Sequence, residues 1–147
     1  MNLKGIFVET QLLGNLIYGI KDADEQLVGT TIKQLLEEGH QRKIGSVLED
    51  SFEQGLITKS MQRTIARTLS EGSDQFLRAF GNFLLEAKTA DPFGEFAKQM
   101  ELDLDTPPYE VLPNNYDKEG IKIFWKSMSL SQKVAAKFDI AVKTGRT

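Results

Sequence analysis

The chain has 147 residues, 40% of them hydrophobic and 27% charged, with a net charge of −3 and no cysteine. A chain of this length buries a core without staples and suits one domain, or one domain with a small appendage. Missing thiols exclude disulfides, thiolate zinc sites and a cysteine nucleophile, and no apolar run approaches the ~20 residues of a membrane helix. The N-terminal MNLKGIFVETQLLGNLIYGI is apolar but has neither a basic leader region nor a small-residue cleavage site. No signal peptide is read there, and a cytoplasmic location is expected.

The first segments read as a small β-hairpin. Leu16 to Ile20 and Leu27 to Ile32 are short and β-prone, and Asp22-Ala23-Asp24-Glu25 forms a polar connector between them. A third strand is expected at Ile6-Phe7-Val8, with a helix over residues 3–20 as the alternative, weakened by Gly5, Gly14 and Gly19. The alternating acids of IKDADEQLVG are not a calcium loop. Counting from Asp22, the required glycine place holds Leu27 and the last ligand place holds Lys33.

From Thr30 onward the period becomes helical. Thr31 is expected to cap a helix carrying Ile32, Leu35 and Leu36, which stops near Gly39. A second helix covers Arg42 to Gln54, with Ile44, Val47, Leu48 and Phe52 on one face. Thr58 or Ser60 caps a third, striped by Met61, Ile65 and Leu69, which ends near Glu71-Gly72. Ser73 or Asp74 caps the most apolar helix, QFLRAFGNFLLEA. Phe76, Phe80, Phe83 and Ala87 make one row, Leu77, Gly81, Leu84 and Leu85 another, and only Arg78, Asn82 and Glu86 are polar. Such a helix is central to the core or shared with a partner, and Gly81 allows another helix to come close. A short helix follows at Asp91-Pro92, with Phe93, Phe96 and Met100.

Residues 103–117 hold three prolines and no basic residue, and they read as an acidic linker or a laid-down arm. Tyr109, Val111 and Leu112 either anchor this arm to the body or form a docking motif for another protein.

Catalytic residue types are scarce. The single histidine, His40, closes a Glu37-x-x-His40 spacing, but a helical di-iron site needs that motif twice. There is no G-x-S-x-G elbow, no G-x-G-x-x-G and no phosphate-binding G-x-x-x-x-G-K-[ST]. Lys59, Arg63 and Arg67 form a basic row that Glu71 and Asp74 dilute, and it reads as a solvated face. No metal, cofactor or small-molecule substrate is expected.

Charge is segregated instead. Residues 118–147 hold seven Lys/Arg against two acidic residues, while the rest of the chain carries 11 of the 18 basic and 19 of the 21 acidic residues. Ile121, Phe124, Trp125 and Met128 predict a helix starting near Asp117, and Ser129 or Ser131 caps another. In QKVAAKFDIAVKTGRT the run Val134, Ala135, Phe138, then Asp139-Ile140-Ala141, then a basic end resembles the core of a helix-turn-helix. That resemblance implies a second helix in the major groove of DNA, with Lys143, Thr144, Arg146 and Thr147 at the bases and Lys133 and Lys137 alongside. It departs from the motif in having Asp139 where glycine is common, and about one turn follows it. The other reading is a basic helix packed on the body or binding a partner.

The expected fold is therefore mainly α: a compact multi-helix body with an N-terminal β-hairpin over residues 1–102, the arm 103–117, and a helical C-terminal segment 118–147. The expected function is non-enzymatic binding of another protein or of a second copy of this chain, as adaptor, inhibitor or regulatory subunit. A nucleic-acid-binding regulator acting through 118–147 is the alternative.

Overall fold

The computed structural model describes residues 3–112 and 116–146, apart from the side chains of residues 3, 4 and 6. Among the described residues eight α-helices follow in chain order: α1 (Leu3–Lys21), α2 (Glu25–Glu37), α3 (Gln41–Glu53), α4 (Lys59–Ser70), α5 (Gln75–Leu84), α6 (Pro92–Gln99), α7 (Lys118–Ser127) and α8 (Leu130–Lys143). A 3-10 turn covers Tyr109–Val111. No strand occurs among the described residues, so the fold is all α and the N-terminal hairpin does not exist.

The reason lies in α1. Leu12, Leu16 and Ile20 recur every fourth residue and are all buried, a helical period that the local β-propensity of LIYGI hides. Each interior glycine costs about 1 kcal/mol of propensity, but Gly19 has a use. A Cβ there would lie 2.9 Å from Val28 Cγ2, so the missing side chain lets α1 and α2 pack closely. Asp24 is then a helix cap, not a hairpin turn. Its carboxylate accepts from the Leu27 N–H at 3.1 Å, which satisfies an otherwise unpaired donor at the start of α2. Thr31, expected as a cap, is buried in the middle of α2.

The chain forms two compact units, residues 1–92 and 93–147. In the first, α2 is central and touches α1, α3 and α4. It buries Val28, Thr31, Ile32 and Leu35. Polar clasps tie its surface. Glu25 accepts from Ser60 Oγ at 2.6 Å and from Thr64 Oγ1 at 2.7 Å, joining α2 to α4. Glu9 on α1 lies 2.7 Å from His40 Nδ1 and 3.5 Å from Lys43 Nζ, joining α1 to α3. Gly39 and Gly55 follow α2 and α3 at φ +80° and +71°, the left-handed conformation that ends a helix.

Next, α4 and α5 run antiparallel in close contact. A Cβ on Gly81 would stand 2.7 Å from both the Ala66 carbonyl oxygen and the Ser70 nitrogen. Gln62 Nε2 donates to the carbonyls of Leu84 and Ala87 at 2.9 Å each, so α4 closes the C-terminal end of α5. Phe80 is fully buried and stacks on Phe76 with centroids 5.8 Å apart. The expected caps Thr58 and Asp74 accept from Met61 and Leu77 N–H.

The Glu25 clasp carries a pH signature. The hydroxyls of Ser60 and Thr64, and the charge of Arg63, hold its carboxyl below the ordinary value of 4.5. A carboxyl whose pKa is lowered by folding stabilises the fold above the unfolded value and loses that contribution as pH falls. Glu25→Gln should therefore be less stable than wild type at neutral pH. The gap should narrow as pH drops below 4.5, as read from urea midpoints across a pH series. A gap independent of pH would show that the carboxylate charge does not matter to the clasp.

Candidate interaction surface

The second unit is built around Trp125. Its indole Nε1 donates to the Leu104 carbonyl at 2.7 Å, and Lys137 Nζ on α8 lies 5.5 Å from the indole centroid. Phe96 on α6 meets Phe138 on α8 with ring centroids 5.7 Å apart. The acidic stretch after α6 is thus laid down, not loose, over its described residues. Asp103 starts a turn by accepting from the N–H of Asp105 and Thr106 at 3.0 and 3.3 Å. Hydrogen bonding from Thr106 and from these amides, with Lys137 nearby, holds the Asp103 carboxyl below its ordinary value. Trp125→Phe removes the donor and strands the Leu104 carbonyl. A loss of about 1 kcal/mol is expected, measured by urea denaturation followed by circular dichroism. No loss would mean that water replaces the indole without cost.

α8 changes the reading of the C-terminus. It runs unbroken from Leu130 to Lys143, opened by a capping box at Ser129 and Gln132. The turn expected at Asp139 does not form. Ser131, Val134, Phe138 and Ala141 are all buried at one continuous helical spacing, and a break at residue 139 would turn Ala141 off that face. The helix-turn-helix resemblance therefore fails at its turn.

The residues expected to meet nucleic acid are not brought onto one surface. Lys133 and Lys137 share a face of α8 and are half-buried, with Lys137 against Trp125. Lys143 is the last residue of the helix and lies on another side. Thr144 donates its hydroxyl to the Ile140 carbonyl at 2.9 Å. Arg146 donates to Thr144 Oγ1 at 3.1 Å and lies 3.7 Å from Glu110. Thr147 lies outside the described residues.

The three residues expected at a docking motif also divide. Tyr109 stacks on Tyr116 at 5.9 Å and has Lys118 Nζ 5.7 Å from its ring centroid, contacts within the arm and with the first residue of α7. Leu112 is half-buried. Only Val111, 49% accessible, faces water.

A surface that the sequence pattern concealed lies on α7. Trp125 is the buried residue of this helix, whereas Ile123 is 70% and Phe124 65% accessible. The spacing of Ile121, Phe124, Trp125 and Met128 puts Phe124 with Trp125 on one apolar stripe and leaves Ile123 off it. At ~100° per residue, Ile123, Ser127 and Gly120 lie opposite Trp125, and Phe124 borders them. Two large apolar side chains therefore flank a floor of two small residues. Ser127 Oγ donates to the Phe124 carbonyl at 2.7 Å, so the floor makes no polar demand. Lys122 and Lys126 form an i, i+4 row along the Ile123 side. Lys122 is 3.8 Å from Glu119, and Lys126 has no ion pair among the described residues.

Other exposed large apolar residues include an adjacent pair on α1, Ile17 at 42% and Tyr18 at 66%, together less exposed than Ile123 and Phe124. Phe7 and Tyr18 on α1 are separated by eleven residues, or ~16 Å of helix, with Ile17 beside Tyr18. No group of three or more metal-ligating side chains occurs among the described residues. None of their helices is long and apolar enough to cross a membrane. No family model, curated protein or solved structure matches the chain.

Proposed function

We propose that this protein works by binding another protein, without chemistry of its own, and that the outer face of α7 is the contact. The supporting observation is the adjacent pair Ile123 and Phe124, at 70% and 65% accessibility on a helix whose opposite face is already packed through Trp125. Two neighbouring large apolar side chains left in water have an unfavourable hydration that a partner would relieve. A central apolar anchor with a charged rim is the usual arrangement of a protein contact. Val111 supplies a further exposed apolar group in the same unit.

Photo-crosslinking in the protein's own host cells tests this reading. A benzoylphenylalanine is placed at position 124, and in a control at position 78, where Arg78 is exposed on α5. The expected result is one recurrent protein adduct at position 124 that disappears in the Ile123→Ser background. The same adducts at both positions would overturn the reading.

A further inference from the structure

We infer that the outer face of α7 receives an acidic amphipathic helix of the partner; this rests on the protein-binding reading above and specifies its chemistry. The shape argues for a helix. Ile123 and Phe124 stand on either side of the Gly120–Ser127 floor, and such a trough accepts the ridge of side chains that a helix presents every third or fourth residue. An extended strand would need free backbone partners, and along residues 118–127 the backbone groups are engaged in the helix's own i to i−4 hydrogen bonds.

Charge then sets the composition of that helix. Lys122 and Lys126 are one turn apart, so acids at the same spacing on the incoming helix pair with both. The Lys122–Glu119 contact at 3.8 Å is a weak competitor, since both side chains are well exposed at 58% and 81%. Asp117 orients the partner. A Cβ on Gly120 would come within 2.7 Å of its carboxylate oxygen, so a negative group stands at one end of the floor. The partner's acids therefore lie along the lysine edge and away from that end.

An anionic lipid surface fits less well. Residues 93–147 carry eight basic and eight acidic residues, so the unit has no net attraction to a charged bilayer, and a ten-residue helix with two exposed apolar side chains is a poor interfacial anchor. The lysines act locally, as partners for particular acids.

The experiment titrates the full chain with three fluorescein-labelled synthetic peptides and reads anisotropy. One is a Leu/Glu amphipathic helix with Glu rows at i, i+4. The second has every Glu replaced by Lys. The third is a scramble of the first with the same net charge. The acidic helix is expected to bind at least ~10-fold more tightly than either control. K122E/K126E should weaken it ~10-fold or more and should improve binding of the basic helix. Glu119→Gln, which frees Lys122, should tighten the acidic helix. Phe124→Ser, at an exposed position, should abolish binding with the circular dichroism spectrum unchanged.

Equal affinity for the three peptides, or no response to the lysine reversal, overturns the inference. So does cosedimentation with phosphatidylserine vesicles that Phe124→Ser abolishes, which would make the surface a lipid site. A dimer in sedimentation velocity that Phe124→Ser dissolves also overturns it, in favour of a second copy. If the position-124 adduct persists while the peptides show no charge preference, the acidic-helix inference falls and protein binding stands. If both fail, both readings fall.

Discussion

Phe80→Ala should destabilise the first unit by about 3–5 kcal/mol, the range for emptying a buried phenylalanine site. Phe80 is inaccessible, and its ring lies between Phe76 and Phe83 with centroids at 5.8 and 6.3 Å. Truncation removes the transfer free energy of the ring and leaves a void that its packed neighbours cannot easily close. A domain of this size is held by only about 5–15 kcal/mol in all. The variant should therefore show a large drop in its urea midpoint by circular dichroism, with part of the population unfolded at 37 °C. Phe83→Ala, at a half-buried position on the same helix, is the internal control and should cost less. A loss below ~1 kcal/mol for Phe80→Ala would mean that the site collapses around the deletion.

The second large effect comes from adding one methyl group. Gly81→Ala gains helix propensity of about 1 kcal/mol, yet it should be strongly destabilising. The new Cβ would sit 2.7 Å from two backbone atoms of α4, the Ala66 oxygen and the Ser70 nitrogen, and 2.9 Å from Leu69 Cβ. Backbone cannot swing aside as a long side chain does, so α5 must shift bodily, and overpacking of this kind costs about 1–3 kcal/mol or more. Gly14→Ala is the opposite case. It is exposed on α1, and an added Cβ meets nothing within 4 Å, so the same substitution should stabilise by about 0.5–1 kcal/mol. Paired urea curves measure both. A neutral or stabilising Gly81→Ala would contradict the close α4–α5 approach.

These two variants also show what the sequence made legible. The row Phe76, Phe80, Phe83 with Gly81 in the neighbouring row marked α5 as a core helix with a close neighbour, because burial and propensity pointed the same way there. The ends of α3 and α4 are legible in the sequence, since Thr58 supplies a cap and Gly55 a stop at the expected offsets. Where local and tertiary preferences conflict, the local signal misled. Leu16 to Ile20 is β-prone and interrupted by Gly19, but that glycine is the contact point with Val28. Its cost to the isolated helix is offset by packing that only the folded chain reveals.

The C-terminus taught the same lesson in two ways. Asp139 looked like a turn residue, yet it occupies an exposed position of α8 while the buried spacing from Val134 through Phe138 to Ala141 continues past it. Phe124 shares a helical spacing with Ile121, Trp125 and Met128, but it and Trp125, as adjacent residues, point ~100° apart. The helix holds apolar side chains on two sides. Periodicity alone cannot tell which side the fold uses: Trp125 is buried with its indole bonded to the Leu104 carbonyl, and Phe124 is left out.

Whether the outer face of α7 is uncovered in solution is open to direct measurement. The chain has no cysteine, so Ile123→Cys, Phe124→Cys and Val134→Cys each give one thiol, the last at a fully buried position of α8. Their reaction with Ellman's reagent under native conditions reports accessibility at each site. Cysteines at 123 and 124 should react nearly as fast as in urea-unfolded chain, and the one at 134 only at the slow rate of opening of the fold. Protection of positions 123 and 124 to the level of position 134 would show that the protein covers this face itself, and would contradict its role as a docking surface.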